Sequence, residues 1–342
     1  MQWNVVTALA LLAHYVSAGP AFMRFACNQL LVERSDPLGS PGISPSPHLH
    51  QIVGGNAFDI SMDPKWDLSA KSTCTSCTFT EDTSNYWTAV MYFRSRNGTM
   101  KRVPQMANAG LNGQNGGMTI YYIAPYDGKT NVTAFRPGFR MIVGKPGARS
   151  DVAKDRGVLG LSFRCFDNDG YGGAPGTGKD TRHFPKKTCS QGIRANIYFP
   201  TCWDGKNLDS PDHQSHVAYP ADGNGNRGGA CPASHPVRIP QLFMETMWDT
   251  RQFNNKAEWP ADGSQPFVFT TGDPTGYGQH ADYVFGWKGD ALQRAMNAGC
   301  GVSCPTLKTQ SMAQANACQQ KKRLTESYEG WVPALPGNNP IR

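Results

Sequence analysis

Residues 86–94 read YWTAVMYFR, an aromatic and β-branched run that follows Asn85 and ends shortly before Asn97-Gly98. Such side chains suit a pleated, half-buried surface, so the run reads as a β-strand. Similar runs recur along the chain: 118–123 (MTIYYI), 139–143 (FRMIV), 158–166 (VLGLSFRCF), 193–199 (IRANIYF), 241–248 (QLFMETMW), 267–270 (FVFT) and 282–287 (DYVFGW). Short strands separated by frequent turn signals predict a mainly β fold. The expected body is sandwich- or jelly-roll-like, built as one unit or as two packed sandwiches. Residues 36–47 (DPLGSPGISPSP) are rich in Pro, Gly and Ser and should be extended and helix-free.

Helical pattern is confined to the end. Residues 290–298 (DALQRAMNA) open on an N-cap-type Asp and stop at Gly299, and 309–322 is polar with spaced Ala, Met and Cys. The organisation read from these patterns is a signal peptide at 1–18, a β-rich body at 19–290 and a short, disulfide-tied helical appendage at 291–342.

Composition supports this reading. The chain has 342 residues with 37 Gly and 25 Pro, only 17% are charged, and 8 Trp, 12 Tyr and 16 Phe supply apolar bulk. That balance excludes a coiled coil, a collagen, a disordered tail and a polytopic membrane protein. The net charge of +7 is spread along the chain, apart from Lys186-Lys187 and Lys321-Lys322-Arg323. It reads as solvated surface rather than a nucleic-acid footprint, though it suits dwelling on acidic polysaccharide.

The opening MQWNVVTALALLAHYVSA has an apolar run at 5–13, well short of the about 20 residues a bilayer span needs. Val16 and Ala18 suit the −3 and −1 positions of a cleavage site, so a secretory signal is expected despite the absence of Lys and Arg before the run. No later run is long enough for a membrane anchor. The ten cysteines all follow residue 18, an even count that predicts up to five disulfides in an oxidising compartment, with the pairing open. Cys74-x-x-Cys77 has no second Cys pair to complete a zinc site and reads as structural. Asn97-Gly-Thr99 and Asn131-Val-Thr133 are glycosylation acceptors. A secreted, extracellular protein is expected.

Histidines gather in four compact stretches. In PSPHLHQIVGG, His48 and His50 project from one face of an extended strand and can reach one metal ion. In CWDGKNLDSPDHQSHVAYP, His213 and His216 converge if the chain turns, Asp212 can orient an imidazole, Tyr219 can move a proton, and Trp203 can stack on a sugar. In CPASHPVRIPQLFMETMW, His235 and Arg238 precede a strand whose alternation puts Glu245 beside Phe243 and Met247, surroundings that suit a general acid or base, or the partner of a buried Arg. In GDPTGYGQHADYVFGW, His280 and Asp282 share a strand face after a glycine-rich turn bearing Tyr277. The candidate metal ligands are His48, His50, His213 and His235. The candidate catalytic residues are His213, His216, Tyr219, Glu245, His280 and Asp282. Trp203, Tyr277 and Arg238 are the candidate substrate contacts. Imidazole with carboxylate suits copper or zinc.

These same four stretches resemble a domain-of-unknown-function family of secreted proteins, abundant in filamentous fungi and present in some bacteria. The resemblance covers nearly the whole chain after residue 18. It implies a secreted fungal protein and transfers no mechanism. The expected function is an extracellular enzyme acting on polysaccharide or cell-wall polymer through a histidine-rich, metal-binding site. The alternatives are a metal-free polysaccharide lyase using His, Tyr and Glu, and a non-catalytic carbohydrate-binding or wall-associated protein. The two catalytic readings rest on histidines from distant stretches meeting in one pocket.

Overall fold

A computed structural model describes residues 21–125, 131–151, 160–167, 173–221 and 229–342. The expected signal peptide at 1–18 lies outside the described residues. Two five-stranded antiparallel sheets face each other. The first runs β1 (Phe22–Cys27), β7 (Met118–Ile123), β14 (Gln241–Trp248), β10 (Ile193–Tyr198), β9 (Leu161–Cys165). The second runs β2 (Leu31–Glu33), β3 (His50–Gly54), β4 (Asn85–Ala89), β16 (His280–Val284), β8 (Arg140–Gly144). Phe25, Ile120, Tyr122, Ile197 and Met244 from the first share one core with Val53, Tyr86, Met141, Ala281 and Tyr283 from the second. Because side chains alternate, each sheet turns its other residues outward, and those outer faces carry the chemistry.

A four-stranded sheet, β15 (Phe267–Phe269), β5 (Met91–Arg94), β6 (Met100–Arg102), β17 (Trp331–Val332), closes a second core around Tyr92, Phe93, Phe253 and Trp248. A small sheet of β12 (Val217–Ala218), β11 (Cys202–Trp203) and β13 (Val237–Arg238) carries the loops around His213 and His235. The single strand expected over 86–94 is two strands. The chain leaves the second large sheet at Val90 and enters the four-stranded one at Met91, and both sides of the break are fully buried. Continuous burial left the sequence without a marker of the crossing.

Helices are few, as expected, α2 (Ala291–Asn297) and α3 (Met312–Ala317), but they are not confined to the end: α1 (Leu68–Lys71) forms one turn capped by the Asp67 carboxylate. The helix expected over 309–322 covers only α3. Ser311 and Gln314 form a capping box at its start, and past Cys318 the chain is drawn away by the Gln320 N–H bonding Leu30 O at 3.0 Å. Residues 291–342 share the core of the body. Ala291, Leu292, Ala295 and Met296 of α2 lie in the sandwich interior, and β17 pairs with β6.

All ten cysteines pair: Cys27–Cys77, Cys74–Cys318, Cys165–Cys189, Cys202–Cys231 and Cys300–Cys304. Cys74 and Cys77 therefore serve two different bridges, and Cys74–Cys318 fastens the end of α3 to the body. Among the described residues, no helix is long and apolar enough to cross a membrane. Polar groups also join the sheets. Asp82 Oδ2 accepts from the Tyr86 hydroxyl at 2.7 Å, Tyr86 meets Tyr122 at 2.7 Å, and Tyr122 donates to Tyr283 at 3.1 Å.

Candidate functional site

The outer face of the second sheet brings three imidazoles together. Register places Glu33, His50, Ala89 and Gly144 along one row, with His280 opposite Gly144. Two strand spacings, about 9.6 Å, separate the His50 and His280 backbones. Their rings nevertheless lean together to a centroid separation of 5.8 Å, because the residue between them is only Ala89. His48, on the bend before β3, packs against His50 with ring centroids 4.2 Å apart and puts Nε2 3.0 Å from His280 Nε2. All three are buried, at 7%, 0% and 2% exposure for His48, His50 and His280.

His280 Nδ1 lies 3.1 Å from Gly278 O. A carbonyl can only accept, so Nδ1 carries the proton and Nε2 of the neutral ring is a lone pair. Burial, then the neighbouring His50 and His280, hold His48 well below the usual imidazole range. Burial, then His280, does the same to His50, and burial lowers His280. The cluster is therefore three neutral imidazoles at pH 7, the form that binds metal. Asp282, one step along the face, is buried and held protonated far above the usual carboxyl range by burial and then by Asp36. Asp36 accepts from Leu38 N, Gly39 N and the Trp87 indole.

The outer face of the first sheet carries a different constellation. One register row reads Arg24, Tyr121, Phe243, Tyr198, and the next reads Thr119, Glu245, Asn196, Ser162. The first row and Glu245 of the second wall a cleft of about 410 Å³, lined also by Phe22, Asn108, Arg194 and Gln241. Tyr121 donates to Glu245 Oε2 at 2.5 Å and receives from Arg24 Nε at 2.9 Å. Asn108 donates to the same Glu245 oxygen at 2.8 Å, and Arg194 Nη1 stands 3.4 Å from the other. Burial, then the Glu245 charge, raises Tyr121 far above an ordinary phenol, so it keeps its proton at neutral pH. Tyr198 stacks on Phe243 at 4.0 Å. A protonated phenol, a carboxylate and two guanidiniums against aromatic rings can hold a sugar unit and pass a proton.

The expected single pocket of histidines is not formed. His48, His50 and His280 meet. His213, His216 and His235 sit beyond β8, whose far edge bonds the loop through Ile142 N to His213 O at 2.9 Å. There His213 Nδ1 binds Asp209 at 2.6 Å, and His216 Nδ1 binds Ser210 Oγ at 2.8 Å. His235 uses both nitrogens, on Ser234 Oγ and Ser215 O. Asp212 touches no imidazole directly; the Ser210 hydroxyl stands between it and His216 Nδ1. Asp212 caps the turn, accepting from Gln214 N, Ser215 N and Ser210 Oγ, and these bonds hold it well below the usual carboxylate range. Tyr219 is buried with its hydroxyl on Tyr198 O, although with Asp212 and His235 it borders a second cleft of about 320 Å³.

Trp203, expected to stack on a sugar, is 4% exposed and donates to Asn207 O. Arg238 is bonded to Thr201 and Gly229, and Tyr277 is half-buried beside His183. Glu245 does lie beside Phe243, and its partners include the buried Arg194. The sequence reading missed Tyr121, Arg24, Arg194 and Asn108. Alternation within 118–123 would have set Thr119, Tyr121 and Ile123 on one face, but nothing in the order of residues pairs that face with β14.

The family described as Domain of unknown function (DUF1996) matches residues 36–287. The chain belongs to that family. The DUF1996 span contains the three clustered imidazoles and Asn108, Tyr121, Arg194 and Glu245, while Phe22 and Arg24 of the cleft precede it. No curated relative and no solved structure matches the chain.

Proposed function

We propose that this DUF1996 protein is a secreted enzyme that acts on extracellular acidic polysaccharide, taking a sugar unit into the cleft of the first sheet. The observation that carries the reading is the Arg24–Tyr121–Glu245–Arg194 array in the wall of that cleft. Its two guanidiniums exceed its one carboxylate, which favours a uronic-acid carboxylate over a neutral sugar. Phe22, Phe243 and Tyr198 supply apolar surface for a pyranose face. In β-elimination Glu245 removes the proton α to the sugar carboxylate, the C–O bond to the next sugar breaks as the double bond forms, and Tyr121 protonates the departing oxygen.

Five disulfides suit an oxidising compartment, and the signal-like stretch 1–18 suits export. Asn97 lies on an exposed turn, a fitting place for an N-glycan. The test is incubation of purified protein with polyuronides and with neutral glucans, reading unsaturated-product absorbance. Tyr121→Phe should cut turnover on polyuronide by about 100-fold or more while leaving binding in place. Full turnover in Tyr121→Phe would sink the assignment. Binding without turnover in the wild type would favour a non-catalytic carbohydrate-binding protein.

A further inference from the structure

We propose that His48, His50 and His280 together ligate one late first-row transition-metal ion, zinc or copper, on the outer face of the second sheet. The site is separate from the cleft, on the other sheet, and stands or falls independently of the polysaccharide reading.

Three observations carry it. The first is distance. One ring nitrogen from each histidine lies within 4.8 Å of the others, and the closest pair is at 3.0 Å. Nitrogens bound to one zinc at about 2.0–2.1 Å sit roughly 3.3 Å apart in a tetrahedron, so small ring rotations complete the geometry. The second is an unmet need. Both ring nitrogens of His50 are fully buried and neither makes a hydrogen bond of normal geometry; the Ser35 backbone faces the ring and can serve only one of them. A hydrogen bond between His48 and His280 accounts for two nitrogens and leaves His50 unexplained. An ion among the three rings takes one nitrogen from each, His50 included, and leaves the other His50 nitrogen to face the Ser35 backbone.

The third is support behind the ligands. His280 donates Nδ1–H to the Gly278 carbonyl, the arrangement that fixes a metal-binding imidazole and aims Nε2 inward. The Ser35 backbone is the polar neighbour of His50. Asp36 sends its negative field to both His48 and His280 without joining the ligand set. An all-imidazole set selects against calcium and magnesium, which take oxygen ligands. The ion joins the bend before β3 to β16, two strands away, and the burial of the rings means that it enters as the chain folds.

The test uses untagged, full-length protein produced with zinc and copper in the medium and dialysed against a weak chelator. Elemental analysis should find one zinc or copper ion per chain. His48→Gln with His280→Gln should lose it. Ala89→Leu, which keeps all three imidazoles but fills the space between His50 and His280, should lose it too. If either variant fails to fold, cobalt substitution of the wild type decides, with the visible bands of a tetrahedral nitrogen-ligated ion expected. Protein that neither carries a metal nor takes up zinc, copper or cobalt on refolding overturns the proposal. So does an ion retained by the folded double variant, which would place it elsewhere in the chain.

Discussion

Asp82→Asn should change how stability depends on pH. Asp82 is 0% exposed, where its charge is poorly solvated, and burial pushes its carboxyl up to about 7 despite hydrogen bonds from Tyr86 and Ser84. In the unfolded chain the same group ionises near its ordinary value of 3.8. Between these two values the folded state holds a proton that the unfolded state has released, so stability falls as pH rises. A gap of about three pH units at 1.36 kcal/mol each gives a total penalty of about 4 kcal/mol above pH 7. By the same linkage, roughly 2.5 kcal/mol of it develops between pH 5 and pH 8. In Asp82→Asn the amide oxygen still accepts from Tyr86, while its NH2 faces the Ser84 N–H, a mismatch of about 1–3 kcal/mol that is independent of pH. The informative quantity is therefore the slope rather than the offset. Urea unfolding of both proteins at pH 5, 6, 7 and 8 should show the variant gaining about 2.5 kcal/mol relative to wild type across the series. A constant difference at all four pH values would mean that Asp82 does not titrate in this range, and that the tyrosine chain between the sheets is not poised as described.

Further expectations can be measured with the same tools. Cys74–Cys318 closes a sequence separation of 244, so the paired Cys74→Ser and Cys318→Ser variant should lose about 5 kcal/mol in urea unfolding. Glu245→Ala leaves Arg194, 5% exposed at its side chain, without its nearer carboxylate, and should cost about 3–5 kcal/mol. Glu245→Gln, which still accepts from Tyr121, should cost less. Gly117 has φ +78°, and a Cβ added there would stand only 2.1 Å from Cys27 O, so Gly117→Ala should destabilise by more than about 2 kcal/mol, read as a drop in Tm.

The β class was legible because alternation and turn chemistry act locally. The runs around Tyr121, Asn196 and Glu245 became strands, and α2 ends just before Gly299, the expected stop, whose φ is +61°. The crossing at Val90 was hidden because a residue buried on both sides looks the same in a continuing strand and in one that changes sheets. His48 and His50 were visible as a pair since a spacing of two puts side chains on one face. His280 lies 230 residues beyond His50, and only the pairing of β16 with β4, with the small Ala89 between, brings it into contact. His213 carried a comparable motif, yet Asp209 and its own turn retained it. Local spacing thus established which residues can act together within one strand or turn, and the cysteine count established how many bridges were available. Which strands became neighbours, which cysteines joined, and which outer face received imidazoles or a Tyr–Glu pair depended on sheet order, because long-range pairing is chosen by the packing of whole faces rather than by any short stretch of chain.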